Sequence, residues 1–413
     1  MPSSAPFQPR GGDSLAHALT TTTLIQIIAT ATALALPPIA PHVAQDFGID
    51  AHYIGFQISL IYLAGTVASA TSGTWLHRHG AVLMEVASLA FFALGLGLLA
   101  LARLDMAVVG SLAIGLGYGL QNPASSQILN RVCPPDKRGL VFSIKQAGVP
   151  LGAVVSSIAL PVLDQSIGWR MALALFMLAP LGLIAHLLWH HRHEKHRGQR
   201  GASFLRGFVG AQKTVLSMQR LRVLSALGLL YSAVQLSLSA FLVLMLVENQ
   251  GWPLVWAGAM GALLQACGAV GRVSWGWLAD RSGQGMALLA VIGVGSTAGL
   301  MACPWLGLMP LWAQIAVLGA LGFCLSGWNG VVLAEIARTV PTQDTGRVIG
   351  GALVYTFVGV MMGPAAYALI FEHLHRYDST FVAISAAMQL GGVITAIQAW
   401  RERFAGHHAA APA

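Results

Sequence analysis

The fold of this chain is decided by one short stretch, Gly276-Trp277-Leu278-Ala279-Asp280-Arg281-Ser282-Gly283, which follows the eighth of its apolar runs. A degraded copy, Gly73-Thr74-Trp75-Leu76-His77-Arg78-His79-Gly80, follows the second run, roughly 200 residues earlier. Each copy is predicted to be a loop that joins the second and third apolar runs of its own half. Internal repeats of this kind are the sequence sign of a membrane protein built from two similar halves.

The composition supports a membrane protein. Hydrophobic residues make up 56% of the 413 residues, charged residues only 9%, and the mean hydropathy is +0.69. A soluble domain averages about 25% charged residues, so this chain lacks the supply for a water-facing surface. A helix needs about 20 apolar residues to cross a bilayer. Twelve such runs are predicted, at 17–40, 52–75, 82–101, 107–130, 140–162, 170–189, 222–247, 254–277, 285–303, 311–336, 347–371 and 379–400.

The predicted fold class is therefore an all-α membrane protein with twelve transmembrane helices in two pseudo-symmetric six-helix bundles. The N-terminal bundle is assigned to residues 1–189, a cytoplasmic linker to 190–221, and the C-terminal bundle to 222–413. Histidines cluster in and beside the linker at His190, His191, His193 and His196. The Arg and Lys residues interleaved with them would repel a metal cation, so a solvated basic linker is predicted, without metal or cofactor.

The placement of positive charge predicts the orientation. With both termini in the cytoplasm, 18 of the 23 Lys and Arg residues fall on the cytoplasmic side. Arg103, Arg170 and Arg376 fall outside, and Lys145 and Arg272 remain within helices. Membrane proteins concentrate Lys and Arg in cytoplasmic loops. The net charge of +8 is therefore interpreted as topology in a cell inner (plasma) membrane, with anionic lipids as neighbours and no nucleic-acid partner.

A second repeat strengthens the two-half interpretation. Gly117-Tyr118-Gly119-Leu120-Gln121-Asn122 corresponds to Gly322-Phe323-Cys324-Leu325-Ser326-Gly327 at similar spacing. The Gly-x-Leu-Ala-Asp-Arg-x-Gly stretch and the opening Leu36-Pro37-Pro38-Ile39-Ala40 resemble the major facilitator superfamily over nearly the whole chain. Two patterns of its proton-driven drug exporters are missing: an intramembrane Arg near Gly115, and a Gly-Pro-x-x-Gly-Gly run, in whose place stands Gly148-Val149-Pro150-Leu151-Gly152.

The resemblance implies a cytoplasmic gate. In that family the Asp and Arg of the repeated stretch brace helix ends and an acid of helix 10, which implies Asp280, Arg281 and Glu335 here, beside Gly276. In the first copy His77 stands where the family has Asp, so only Arg78 is carried over to a gating role. The alternative is that both copies are ordinary polar loops.

Two cations inside predicted helices indicate the cargo. An ionisable residue within a bilayer helix costs about 2.5–3.5 kcal/mol and is functional by default. Lys145 lies about two turns into helix 5, and Arg272 about two turns before the end of helix 8. No carboxylate is predicted at a helix centre, since Glu85, Glu335 and Asp280 all fall near the cytoplasmic boundary. Uncompensated cations predict binding of an anion supplied from outside, whereas the alternative is that both side chains snorkel to the lipid interface.

Arg272 also lies four residues before Gly276, which resembles the helix-8 Arg of monocarboxylate and oxalate/formate carriers and implies carboxylate binding. Polar side chains near mid-helix are predicted to complete the substrate cavity, with interhelical hydrogen bonding as the alternative for each. In the first half they are Gln26, Thr30, Tyr62, Gln121, Asn122 and Gln146. In the second half they are Tyr231, Gln235, Gln265, Asn329 and Tyr355.

These observations predict a secondary transporter, not an enzyme, that moves a small organic anion by alternating access. It is expected to act as a monomer, by symport with protons or by anion exchange. One alternative is an exporter of amphipathic drugs or cations, which the lack of an intramembrane acid disfavours. A non-transporting membrane receptor is another, for which the chain has no sensor domain.

Overall fold

Helices account for nearly all of the described chain. The computed structural model describes residues 14–134, 138–190, 204–340 and 342–409, and no β-strand occurs among them. Contacts divide the chain into two compact units, one of Met1–Gly48 with Leu60–Ala202 and one of Ile49–Ser59 with Ser203–Ala413. The segment Ile49–Ser59 thus groups with the second unit, although the sequence assigned it to the N-terminal bundle. The bundle boundaries themselves stay a prediction.

The first unit holds eight of the sixteen described helices, the third of which extends beyond it. They are α1 (Leu15–Ala33), α2 (Ala40–Phe47), α3 (Ile54–His79), α4 (Ala81–Ala100), α5 (Leu104–Val132), α6 (Arg138–Ile167), α7 (Trp169–Phe176) and α8 (Leu178–His190). The closest packing joins α4 to α5 and α1 to α6. The Ser88 hydroxyl on α4 donates to the carbonyl of Gly117 on α5 at 2.8 Å, which fixes the axial register of these two helices.

The second unit holds the remaining eight helices. They are α9 (Phe204–Ser217), α10 (Gln219–Leu244), α11 (Leu254–Ser282), α12 (Gly285–Met301), α13 (Leu311–Leu325), α14 (Trp328–Thr339), α15 (Thr342–Leu374) and α16 (Tyr377–Ala409). Here α10 packs on α15, α11 on α13, and α12 on α16. A π-helical turn, Met245–Asn249, prolongs α10. Helices α13 and α14 are separated by a break at Ser326 and Gly327, although the sequence predicted one continuous span over 311–336.

The predicted spans have counterparts in the helices. Within the described residues, ten helical segments are long and apolar enough to cross a membrane, and the pair Leu15–Ala33 and Pro37–Phe47, bent by 41°, makes eleven if it is counted as one span. The remaining predicted span, at 285–303, corresponds to the helix Gly285–Met301, which is apolar but shorter than the others. The all-α, multi-span prediction is confirmed.

The two repeated stretches are not loops, and this part of the prediction was wrong. Residues 73–79 are the last two turns of α3, and residues 276–282 are the last two turns of α11. Each helix ends only at a glycine in the left-handed region, Gly80 at φ 85° and Gly283 at φ 65°. Glycine takes this conformation without a Cβ clash, so it terminates helices. The polar residues before these glycines are therefore carried on helix ends.

The linker prediction also needs a correction. The whole of 190–221 was expected to be a solvated linker, yet α9 lies within it and packs on α15. The Val215 side chain is fully buried, and the Gln212 side-chain amide donates to the Gly351 carbonyl at 3.0 Å. Apolar residues on one face of a short helix gain stability by covering a neighbour. His191, His193 and His196 lie outside the described residues.

Candidate functional site

Lys145 is a buried cation in the first unit. It lies on α6, only 2% exposed, and its Nζ donates to Oδ1 of Asn122 on α5 at 2.5 Å. Burying an ammonium removes its hydration, so it requires hydrogen bonds and a counter-charge. Asn122 supplies the hydrogen bond. This site joins two residues that the sequence had proposed separately.

The counter-charge is Glu85, which is fully buried near the start of α4. The Ser125 hydroxyl donates to Glu85 Oε1 at 2.5 Å, and the Gln121 amide donates to Ser125 Oγ at 2.9 Å. Glu85 and Lys145 interact electrostatically. Asn122 and Ser125 lie three residues apart on one face of α5, and this face joins Glu85–Ser125–Gln121 and Asn122–Lys145 into one cluster of five side chains.

This cluster corrects the expectation that both cations lack an internal counter-charge. Glu85 was assigned to the cytoplasmic boundary because it stands close to the beginning of the third apolar run. The packing of α4 on α5 covers that position, so nearness to a helix end did not mean exposure. The residues that the sequence analysis missed here are Glu85 and Ser125. Glu85 could have been found from the sequence, because it is a lone acid inside an apolar run. No sequence signal pointed to Ser125.

The other polar residues proposed for the first unit differ in their surroundings. Gln26 and Thr30 on α1 are buried, and neither side chain makes a hydrogen bond with any of the described residues. Tyr62 is half-buried, with its ring 5.3 Å from that of Tyr118 in an edge-on arrangement. Gln146 is exposed. Two unsatisfied buried side chains on one helix are costly unless a ligand or water completes them.

Arg272 lies half-buried on α11 in the second unit, within the candidate span Leu254–Ala279. This helix lies against α14, since a Cβ at Gly330 would stand 3.9 Å from the Arg272 carbonyl. The Trp275 indole donates to the Phe323 carbonyl at 3.1 Å and holds α11 against α13. Arg272 is thus carried beside the break between α13 and α14. That break is a two-residue turn inside the single candidate span Leu311–Ile336, where the Ser326 and Gly327 amides still donate to the Gly322 and Cys324 carbonyls.

Gln235 on α10 organises the polar side chains around that break. Its amide donates to Ser326 Oγ at 3.2 Å, and its carbonyl accepts from the Trp328 indole at 3.0 Å. One turn further along α10, Ser239 Oγ accepts from the Gln265 amide of α11 at 2.9 Å. Gln235 and Gln265 are therefore brought to one side of α10. Trp328, Ser326 and Ser239 were not proposed from the sequence.

The remaining residues proposed for the second unit are less closely connected. Asn329 and Tyr355 are half-buried, and Asn329 lines a small crevice with Leu224 and Thr356. Tyr231 is fully buried, and its hydroxyl donates to the Leu289 carbonyl of α12 at 3.1 Å. Tyr231 thus ties α10 to α12.

Among the residues predicted to form the gate, Glu335 on α14 is almost fully buried. It accepts from Arg220 of α10 at 2.5 Å and from Arg338 at 2.8 Å. Arg338 also donates to the Ala279 carbonyl of α11 at 3.4 Å. Glu335 therefore joins α10, α11 and α14. Arg220 and Arg338 were assigned to the cytoplasmic side from the sequence but not to the gate.

Other gate residues stand apart from Glu335. The exposed Arg281 guanidinium lies 5.3 Å from the centre of the Trp277 ring, in cation–π geometry. Arg78 is exposed at the end of α3, and Gly276 lies within α11. The side chain of Asp280 is outside the described residues. The implied contact between Arg281 and Glu335 is thus replaced by Arg220 and Arg338.

A metal site finds no support among the described residues, where no group of three or more His, Cys, Asp or Glu side chains could hold an ion. The His190 ring instead lies 4.3 Å from the ring of His17. Long apolar helices with buried charged and amide side chains define a polytopic membrane protein.

Comparison with known proteins makes the class specific. The model of the Major Facilitator Superfamily matches residues 22–364. The chain therefore belongs to the Major Facilitator Superfamily and is a multi-pass membrane transporter, as its repeats predicted.

Curated relatives share most of their length with this chain. The nitrite extrusion protein of Bacillus subtilis is 25% identical over 87% of this chain and 89% of its own. The gallate transporter of Pseudomonas putida is 24% identical, covering 83% and 88%. The 4-hydroxybenzoate transporter of Pseudomonas aeruginosa is 25% identical, covering 86% and 88%.

Proposed function

We propose that this protein is a secondary transporter that moves a small organic anion, a carboxylate, across the plasma membrane by alternating access. It works by symport or by anion exchange. Both termini lie in the cytoplasm, since that orientation obeys the distribution of Lys and Arg. The active unit is a single chain.

The observation that carries the proposal is a cation inside a candidate span in each unit, Lys145 in the first and Arg272 in the second. A charge at membrane depth costs about 2.5–3.5 kcal/mol and persists where it has a function. A guanidinium matches the two oxygens of a carboxylate, and an ammonium adds a point charge. Arg272 is therefore the direct ligand, and Lys145 attracts the anion or makes a second contact.

The names of the relatives support an anionic cargo. Nitrite, gallate and 4-hydroxybenzoate are all anions near neutral pH, and the last two are aromatic carboxylates. An amphipathic cation fits less well, because the charge of the buried acid Glu85 is already compensated electrostatically by Lys145. A benzoate-like carboxylate is the first cargo to test.

Neutral polar side chains would complete the site by hydrogen bonding to the carboxylate and to ring hydroxyls. The orphaned Gln26 and Thr30 are the strongest candidates, because both are buried without a partner among the described residues. The others are Tyr62, Gln121, Asn122, Gln146, Tyr231, Gln235, Gln265, Asn329 and Tyr355. The cytoplasmic gate is formed by Glu335 with Arg220 and Arg338, and by Gly276, Asp280, Arg281 and Arg78.

Counterflow in proteoliposomes tests the proposal. Vesicles that contain the full chain and unlabelled 4-hydroxybenzoate should accumulate the labelled compound. Arg272→Ala should lose about 30-fold or more in kcat/KM, because breaking a desolvated charge pair costs about 2–5 kcal/mol. Arg272→Lys should also be impaired, since lysine lacks the guanidinium fork.

Arg222→Ala is the matched control, since Arg222 is an exposed arginine near the start of α10. It should transport like the wild type. Unchanged uptake by folded Arg272→Ala protein would dismiss direct binding by Arg272. Movement of amphipathic cations without carboxylates would favour the exporter, and movement of neither would favour a receptor.

A further inference from the structure

We propose that Glu85 is the proton-carrying residue of this transporter and that Lys145 couples its protonation to anion binding. The proposal rests on the proposed function and specifies its coupling ion. It assigns a transport role to Glu85, which the candidate site described above includes only as the counter-charge of Lys145.

The surroundings of the Glu85 carboxylate suit a group that gains and loses a proton. It is 0% exposed, and Ser125 donates to its Oε1, whereas its Oε2 accepts no hydrogen bond from the residues the structure describes. A buried carboxylate with one bare oxygen is stable only when a proton or a nearby cation neutralises it. Both means are present, because Lys145 is the cation and the buried Oε2, which accepts no hydrogen bond from the described residues, can hold a proton.

Few other charges compete for Glu85. Helix α4 packs against α1, α5, α7 and α8. Lys145 is the one group whose charge acts on Glu85 within the described part of the chain. The other titratable or charged side chains on the described parts of those helices are His17, Asp105, Tyr118, Arg131, Arg170, His186 and His190.

The coupling follows from charge balance within the cluster. In the empty carrier, ionised Glu85 compensates Lys145. A proton that binds to the Glu85 carboxylate leaves the Lys145 ammonium uncompensated, and the substrate carboxylate then takes the place of the lost counter-charge. On the other side of the membrane the anion leaves, Lys145 again stabilises the ionised acid, and the proton departs. One proton and one monoanion cross together, so loaded and empty carrier have the same net charge.

Glu85→Gln tests this inference because the amide imitates the protonated acid. Wild-type vesicles should take up one proton per 4-hydroxybenzoate, measured with an internal pH dye, and a gradient of about one pH unit should drive about tenfold accumulation. A membrane potential alone should drive none. The glutamine variant should keep counterflow, lose accumulation driven by the pH gradient, and lose the pH dependence of exchange.

Ser88→Ala is the matched control, because Ser88 is equally buried one turn further along α4 and bonds to Gly117 instead of the cluster. It should retain proton-driven accumulation. Added 4-hydroxybenzoate should raise the melting temperature of Glu85→Gln more than that of the wild type, since its Lys145 has no other counter-charge.

The outcomes separate the two proposals. Proton-driven accumulation by Glu85→Gln, or loss of its counterflow at a normal melting temperature, overturns the role of Glu85 alone. Wild-type protein that moves no carboxylate overturns the proposed function, and this inference with it.

Discussion

The Glu85–Lys145 pair makes a quantitative prediction about stability. Lys145→Met keeps the volume of the side chain but leaves Glu85 as a buried charge without a partner. Glu85 and Lys145 interact electrostatically without forming a direct ion pair, and leaving a buried charge uncompensated costs about 3–5 kcal/mol. The lost hydrogen bond to Asn122 is part of that cost, since bonds to charged groups contribute about 1.5–3 kcal/mol. The free energy of unfolding should therefore fall by about 3–5 kcal/mol.

The double variant Glu85→Gln/Lys145→Met should recover most of this loss, because replacing a whole buried pair with neutral groups is often neutral or stabilising. The free energies of unfolding are measured by denaturant titration in mixed micelles, for both single variants and the double variant. The coupling between the two substitutions should exceed about 1 kcal/mol, well beyond the error of additivity for independent sites.

Lys213→Met is the matched control, since Lys213 is exposed on α9. It should change stability by no more than about 0.5 kcal/mol. Additive single variants, or a Lys145→Met loss no greater than that of Lys213→Met, would refute the idea of a charge-compensated pair.

Two further predictions concern the helix ends. Glu335→Gln should lower the free energy of unfolding by about 2 kcal/mol in the same titration, because Arg220 and Arg338 both lose their carboxylate partner. Arg281→Ala should cost far less, since it removes only an exposed contact with Trp277. Equal losses in the two variants would contradict this prediction. Gly283→Ala should lower the free energy of unfolding by about 1–2 kcal/mol, because the backbone of Gly283 is left-handed. Gly276→Ala should be as stable as the wild type, because an added Cβ at Gly276 meets no atom within 4 Å. A clearly destabilised Gly276→Ala variant would contradict this prediction.

The sequence by itself determined the fold class and the family. Span number, helical content and the two-half organisation depend on runs of apolar residues and on repeats, which are local patterns in the chain. Arg272 and Lys145 could be singled out for the same reason, since a cation inside an apolar run is visible without any contact.

Tertiary packing decided the rest. Whether residues 276–282 are loop or helix depended on where Gly283 ends α11, which polarity alone does not reveal. Likewise, Glu85 is buried because α5 covers α4, and both its hydrogen-bond donor Ser125 and the cation Lys145 lie at least 40 residues away in sequence. Trp328, Arg220 and Arg338 gained their roles from helices that are distant along the chain. A charge acquires its partner only when helices pack, because electrostatic interactions and hydrogen bonds depend on distance in space and not along the chain.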